Sequence, residues 1–108
     1  MKEHLGELEE LVLLTIAYLG DEAYGVNILE ELKTKSKRKL TIGGLHSTMT
    51  RLEEKGLLVS YMGEPTKSRG GRRKRYFELT DSAKVALNQS KSLRDQLWSL
   101  SKVNLSIQ

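Results

Sequence analysis

Residues 41–79 read TIGGLHSTMTRLEEKGLLVSYMGEPTKSRGGRRKRYFEL. The first half has helical periodicity. Stepping about 100° per residue from Leu45 groups Leu45, Thr48, Met49 and Leu52 on one side. Gly43, Ser47, Thr50 and Glu54 lie opposite, with His46 and Arg51 on the flanks. Thr41 is a good N-terminal cap and Gly56 a good stop. The spacing therefore predicts a helix to about Lys55 with an apolar inner face. Its outer face is small and polar in the N-terminal half. The second half of the stretch predicts two strands, 57–62 and 75–79, joined by a loop crowded with positive charge. Gly70 and Gly71 permit a turn and close backbone approach within that loop.

A helix with a small polar face can come close to base edges, and its N-terminus favours phosphate. A cationic ribbon directly after it adds backbone contacts. This is the layout of a winged helix-turn-helix, and it points to DNA. The expected contacts are Thr41, Gly43, Gly44, His46, Ser47, Thr50 and Arg51 on the helix. Tyr24, at the start of the preceding helix, is placed with them. Lys67, Arg69, Gly70, Gly71, Arg72, Arg73 and Lys74 are the expected contacts on the wing.

Charge placement supports the same reading more than total charge does. The chain of 108 residues carries 18 Lys and Arg against 14 Asp and Glu, a formal net charge of +4. Residues 1–31 hold eight of the acids and one basic residue, Lys2. Residues 33–39 hold five basic residues and no acid, and residues 67–75 hold six and no acid. Either run alone would read as a solvated face. Two runs flanking one polar-faced helix read as polyanion binding.

Upstream, residues 7–19 predict a helix with a wide apolar stripe of Leu8, Leu11, Val12, Leu14, Ile16 and Leu19. Glu7, Glu9 and Glu10 fall in its first turn, where the helix dipole favours acids. Gly20 suits its end. Asp21 or Glu22 is expected to open a second helix with Val26, Ile28, Leu29 and Leu32 inward, fraying within 33–39. Leu40–Ile42 is expected to be a short extended segment.

Downstream, Thr80 is the expected cap of a last helix. Ala86, Ser90, Leu93, Leu97, Leu100, Asn104 and Ile107 follow 4-3-4-3-4-3 spacing, the pattern of a two-helix seam. The expected division is residues 1–79 for DNA binding and 80–108 for dimerisation through Leu93, Leu97, Trp98 and Leu100. The fold class is mainly α with a small β-hairpin.

Absences narrow the function. The chain has no cysteine, which excludes disulfides and thiolate metal sites and suits a reducing compartment. Its longest apolar run is Leu11–Leu14, too short to span a membrane, and residues 1–10 lack the order of a signal peptide. A cytoplasmic location is expected, with no membrane partner and no cofactor. Catalysis would need a convergent acid, base or metal set. The two histidines, His4 and His46, fall on different elements, so no enzyme is expected. A protein-interaction module on the same fold is the competing class. The wing separates the two, since a protein-binding wing has no need of Lys67, Arg69, Arg72, Arg73, Lys74 and Arg75 together.

Four segments resemble the PadR family of bacterial transcriptional regulators. They are residues 5–14, 21–25, 42–58 and 63–80, and the likeness runs from Leu5 to about Leu87. His46 stands where that family commonly has Tyr, Ser47 where Pro is frequent, and Asp81-Ser82-Ala83 in place of Pro-x-Gly. The resemblance implies a homodimer on a palindromic operator, usually repressing. The single last helix is similar to the short, drug-sensing branch, which implies a small-molecule effector stacked on Trp98. Packing in the dimer seam is the first reading of that tryptophan and a ligand platform the second.

Overall fold

A computed structural model describes residues 5–64 and 73–107. The elements in order are α1 (Glu7–Leu19), a 3-10 turn (Gly20–Glu22), α2 (Gly25–Ser36), α3 (Ile42–Glu54), β1 (Leu58–Met62), β2 (Arg75–Leu79) and α4 (Asp81–Leu105). Helices α1, α2 and α3 pack on one another, and β1 and β2 form an antiparallel ribbon against them. The fold is mainly helical with a two-stranded hairpin, as the sequence predicts.

The core is drawn from all four α-helices and the ribbon. Val12, Leu13 and Ile16 come from α1, Ile28 and Leu32 from α2, and Leu45, Met49 and Leu52 from α3. Leu57, Leu58 and Phe77 close it from the ribbon, and Ala83 from α4. Each large side chain here contributes about 1.5–3 kcal/mol by leaving water. Leu87 packs against the same cluster, so the first turns of α4 belong to this chain's own packing.

The inner face of α3 is as predicted, with Leu45, Thr48, Met49 and Leu52 all buried. Two predicted inward positions are corrected. Leu14 is 47% exposed while Leu13 is fully buried. In a run of four apolar residues the period alone does not say which of two neighbours points inward. Val26, in the first turn of α2, is likewise exposed.

The helix ends follow capping chemistry. The Thr41 hydroxyl accepts from the Gly44 amide at 3.0 Å, and the Thr80 hydroxyl accepts from the Ala83 amide at 3.2 Å. Such caps contribute about 1 kcal/mol each. Gly20 and Gly56 adopt positive φ of 57° and 74° at the ends of α1 and α3, where a side chain would be strained. Asp21 and Glu22 do not open α2. They form the 3-10 turn, and α2 begins at Gly25 with Tyr24 in extended conformation before it. Leu40 and Thr41 form no strand, and Ile42 is already helical. Helix α4 ends at Leu105, so Ile107 lies outside the seam expected for it.

The ribbon pairs Leu58 with Leu79, Ser60 with Phe77 and Tyr61 with Tyr76. A further bridge joins Tyr24 to Tyr76, and the Phe77 amide donates to the Ala23 carbonyl at 2.9 Å. The chain before α2 thus acts as a third, very short strand alongside β2.

Candidate nucleic-acid interface

The N-terminal half of α3 carries the predicted outer face. Gly43, Gly44, His46, Ser47 and Thr50 are all exposed, beside exposed Thr41. A side chain at Gly43 would meet nothing within 4 Å, so its absence leaves open space in front of the helix rather than serving internal packing. Gly44 differs. A Cβ there would lie 3.3 Å from the Thr41 hydroxyl and crowd the cap.

Helix α2 begins beside this helix end. A Cβ on Gly25 would touch the Ile42 side chain at 3.9 Å. Tyr24 therefore stands next to the α3 N-terminus. The base of the wing reaches the same place, since the Lys74 ammonium lies 4.1 Å from the centre of the Tyr24 ring. Arg73, Lys74 and Arg75 are exposed there. The structure so brings together Tyr24, the start of α3 and Lys74. Lys67, Arg69, Gly70, Gly71 and Arg72 lie outside the described residues, as does His4.

Arg51 is turned partly inward. It donates to the Thr48 hydroxyl at 3.1 Å, and its Nε lies 3.9 Å from a Glu9 carboxylate oxygen. Glu9 is only 7% exposed. It accepts from the Gly6 amide at 2.8 Å and from Lys55 at 2.9 Å on both oxygens. Burial pushes this carboxyl up, but the Gly6 amide, Lys55 and Arg51 together outweigh it and hold it below the ordinary value. Glu9 thereby ties the start of α1 to the end of α3. Sequence reading placed it only as a favourable charge on the helix dipole.

The basic run at 33–39 divides by partner. Arg38 pairs with Glu7, and Lys35 pairs with Glu31 at 3.1 Å beneath the Tyr18 ring. The bond to Glu31, then that residue's charge, holds the Lys35 ammonium above its ordinary value. Lys33, Lys37 and Lys39 are exposed. Among the described residues no cluster of His, Asp and Glu has the make-up of a metal site. No helix among them is long and apolar enough to cross a membrane.

The sequence matches the Transcriptional regulator PadR-like family over residues 13–89. The chain belongs to the PadR-like family. Solved structures share its fold. A PadR family transcription regulator from Clostridium difficile R20291 superposes with a TM-score of 0.68 at 22% identity, covering 94% of this chain and 100% of that one. A PadR-like transcription factor from Bacteroides fragilis gives 0.67 at 24%, covering 88% and 86%. A PadR family transcriptional regulator from Eggerthella lenta DSM 2243 gives 0.65 at 24%, covering 94% and 88%. No curated protein matches the chain. The PadR-like family consists of transcriptional regulators rather than enzymes, so this protein is a DNA-binding transcription regulator.

The second half of α4 stands apart from the rest. Leu93, Leu97, Trp98 and Leu100 are 57%, 53%, 62% and 76% exposed, and Val103 is 87% exposed. Ser90, expected in the same seam, instead donates to Glu10 of α1 at 2.5 Å, and Arg94 lies 3.5 Å from the same carboxylate. A groove of about 860 Å³ opens between α1, β2 and α4. Trp98 lines it together with Leu14, Leu87 and Phe77. Phe77 lies within the predicted strand 75–79, and nothing local links residue 77 to residue 98.

Proposed function

We propose that this PadR-like protein is a homodimeric repressor of a near-palindromic operator. Residues 1–79 supply DNA recognition and residues 80–108 supply dimerisation. The observation that carries this reading is the face of α3. Its apolar side is buried, while His46, Ser47 and Thr50 project beside an uncrowded Gly43. Such a face fits the major groove, where Ser and Thr serve bases or phosphates. The bare apolar stripe of α4 supports the dimer, since contiguous exposed patches of this kind mark association surfaces. A dimer places two such helices on one duplex with two-fold symmetry. Selecting bound duplexes from a random pool tests the proposal. The expected result is a near-palindrome with half-sites about one helical turn apart, or a multiple of it. Enrichment of no motif would overturn it.

The groove beside Trp98 supports a second reading, a small-molecule effector. Its walls include Trp98 and Phe77, the acids Glu10, Asp21, Glu78 and Asp95, and the bases Lys84, Lys91 and Arg94, with Arg94 paired to Glu10 and Lys91 to Asp95. Aromatic faces and carboxylates together suit a planar cation. Titrating ethidium against Trp98 emission, without DNA, should give saturable quenching in the unmutated protein. The same dye should lower operator affinity in that protein and not in Trp98→Leu, which separates the groove from dye bound to the duplex. Unchanged emission would remove this reading and leave packing as the role of Trp98.

A further inference from the structure

We propose that Gly63, Tyr76, Tyr24 and Lys74 form a clasp that sets the direction of the wing relative to α3; it rests on the DNA-binding reading above. Side chains alternate along a strand, so directly paired residues share a face. Tyr61 pairs with Tyr76, and Tyr76 bridges to Tyr24. Three tyrosines therefore stand in one row on the ribbon face opposite buried Phe77. Tyr61 and Tyr76 stack with ring centres 5.7 Å apart and 19° between planes. Tyr24 meets Tyr76 edge-on at 5.6 Å and 75°. Lys74, two residues before Tyr76, reaches the same face and covers the Tyr24 ring at 4.1 Å.

Gly63 makes the row possible. Its amide donates to the Lys74 carbonyl at 2.8 Å, which extends the ladder one pair past Met62. On Tyr76, two ring carbons would lie 2.5 and 3.0 Å from a Cβ added at Gly63. Gly63 does not have the positive φ of Gly20 and Gly56. The requirement is therefore for space and not for backbone freedom. With the Tyr76 ring held between Tyr61 and Tyr24, a methyl group there cannot be relieved without breaking the row.

The row connects the two parts of the interface. Tyr24 precedes α2, and a Cβ on the first residue of that helix, Gly25, would lie 3.9 Å from the Ile42 side chain at the start of α3. Both strands of the wing thus leave the domain at an angle fixed against the recognition helix. Tyr76 and Gly63 act as positioning residues. Neither carries charge or needs to touch DNA.

The test is the salt dependence of binding to a duplex of about 25 base pairs, a length spanning roughly two helical turns, for the unmutated protein, Gly63→Ala, Tyr76→Leu and Tyr76→Phe. Each variant is checked for its fold by circular dichroism. Gly63→Ala and Tyr76→Leu remove no charge. They are expected to bind at least about tenfold more weakly, with the slope of log K against log salt shallower by about one unit or more. Tyr76→Phe keeps the ring and should match the unmutated slope. Folded Gly63→Ala and Tyr76→Leu with the unmutated slope would overturn the clasp and leave DNA binding intact. An unmutated protein that binds no duplex overturns both. Should either variant unfold, the unmutated protein decides by side-chain NMR. The Lys74 ε-methylene protons should be shifted upfield by the Tyr24 ring, and random-coil values would overturn the proposal.

Discussion

Glu9 holds a charge at a position almost closed to water, and its partners come from both ends of the helical core. An isolated buried carboxylate would be costly, but this one has an amide, an ammonium and a guanidinium around it. Replacing it with Gln removes the negative charge that Lys55 and Arg51 share and turns one of its two acceptor oxygens into a donor. The expected loss is about 1–3 kcal/mol at neutral pH, read by urea unfolding. The pH dependence has a definite sign. The folded carboxyl sits below its ordinary value of 4.5. Its contribution is therefore fully present above that value and is lost as pH falls through the lowered folded value. Glu9→Gln should flatten the stability curve in that window; an unflattened curve would show that the pairing contributes nothing. The wing arginines act at the same scale. Arg72→Ala with Arg73→Ala should weaken binding to every duplex and make the salt slope shallower by roughly one unit for each phosphate no longer neutralised. An unchanged slope would place those arginines off the phosphates.

At the scale of elements, α3 was legible in the sequence because its four inward residues obey one period and its caps are local. Thr41 and Thr80 each cap an amide three positions on, and Gly56 turns the chain directly after α3, so all three are predicted from neighbours alone. What escaped involves distance along the chain or equivalence between neighbours. Glu9 meets Lys55 across 46 positions, and Ser90 meets Glu10 across 80. The row of three tyrosines draws on residues 24, 61 and 76, which no local pattern connects. Leu13 and Leu14 are adjacent and chemically equal, so only packing decides between them. Helix α4 shows both cases. Its cap is readable, whereas its end at Leu105 and its split into a half held on β2 and α1 and a half with bare apolar side chains are not. The bare half carries a prediction. Leu93→Asp with Leu97→Asp should give monomers by light scattering, with the helical core still folded and operator affinity much reduced, because two linked half-sites bind more tightly than one. A monomer in the unmutated protein would contradict the dimer.

At the scale of the whole molecule, three surfaces are arranged around one small core. In the function proposed above, the face of α3 reads bases, the wing base beside it meets the backbone, and α4 joins two copies. The acids of the first turn of α1 tie these parts together: Glu7 to Arg38, Glu9 to Lys55, and Glu10 to Ser90 and Arg94. The central claim is that α3 chooses the sequence. It is tested most directly by selecting duplexes from one random pool with the unmutated protein, Ser47→Ala and Thr50→Ala in parallel. An altered or relaxed half-site is expected in each variant, at about 1–3 kcal/mol for each base no longer read, with the half-site spacing unchanged. The same motif at the same strength from all three proteins would contradict it.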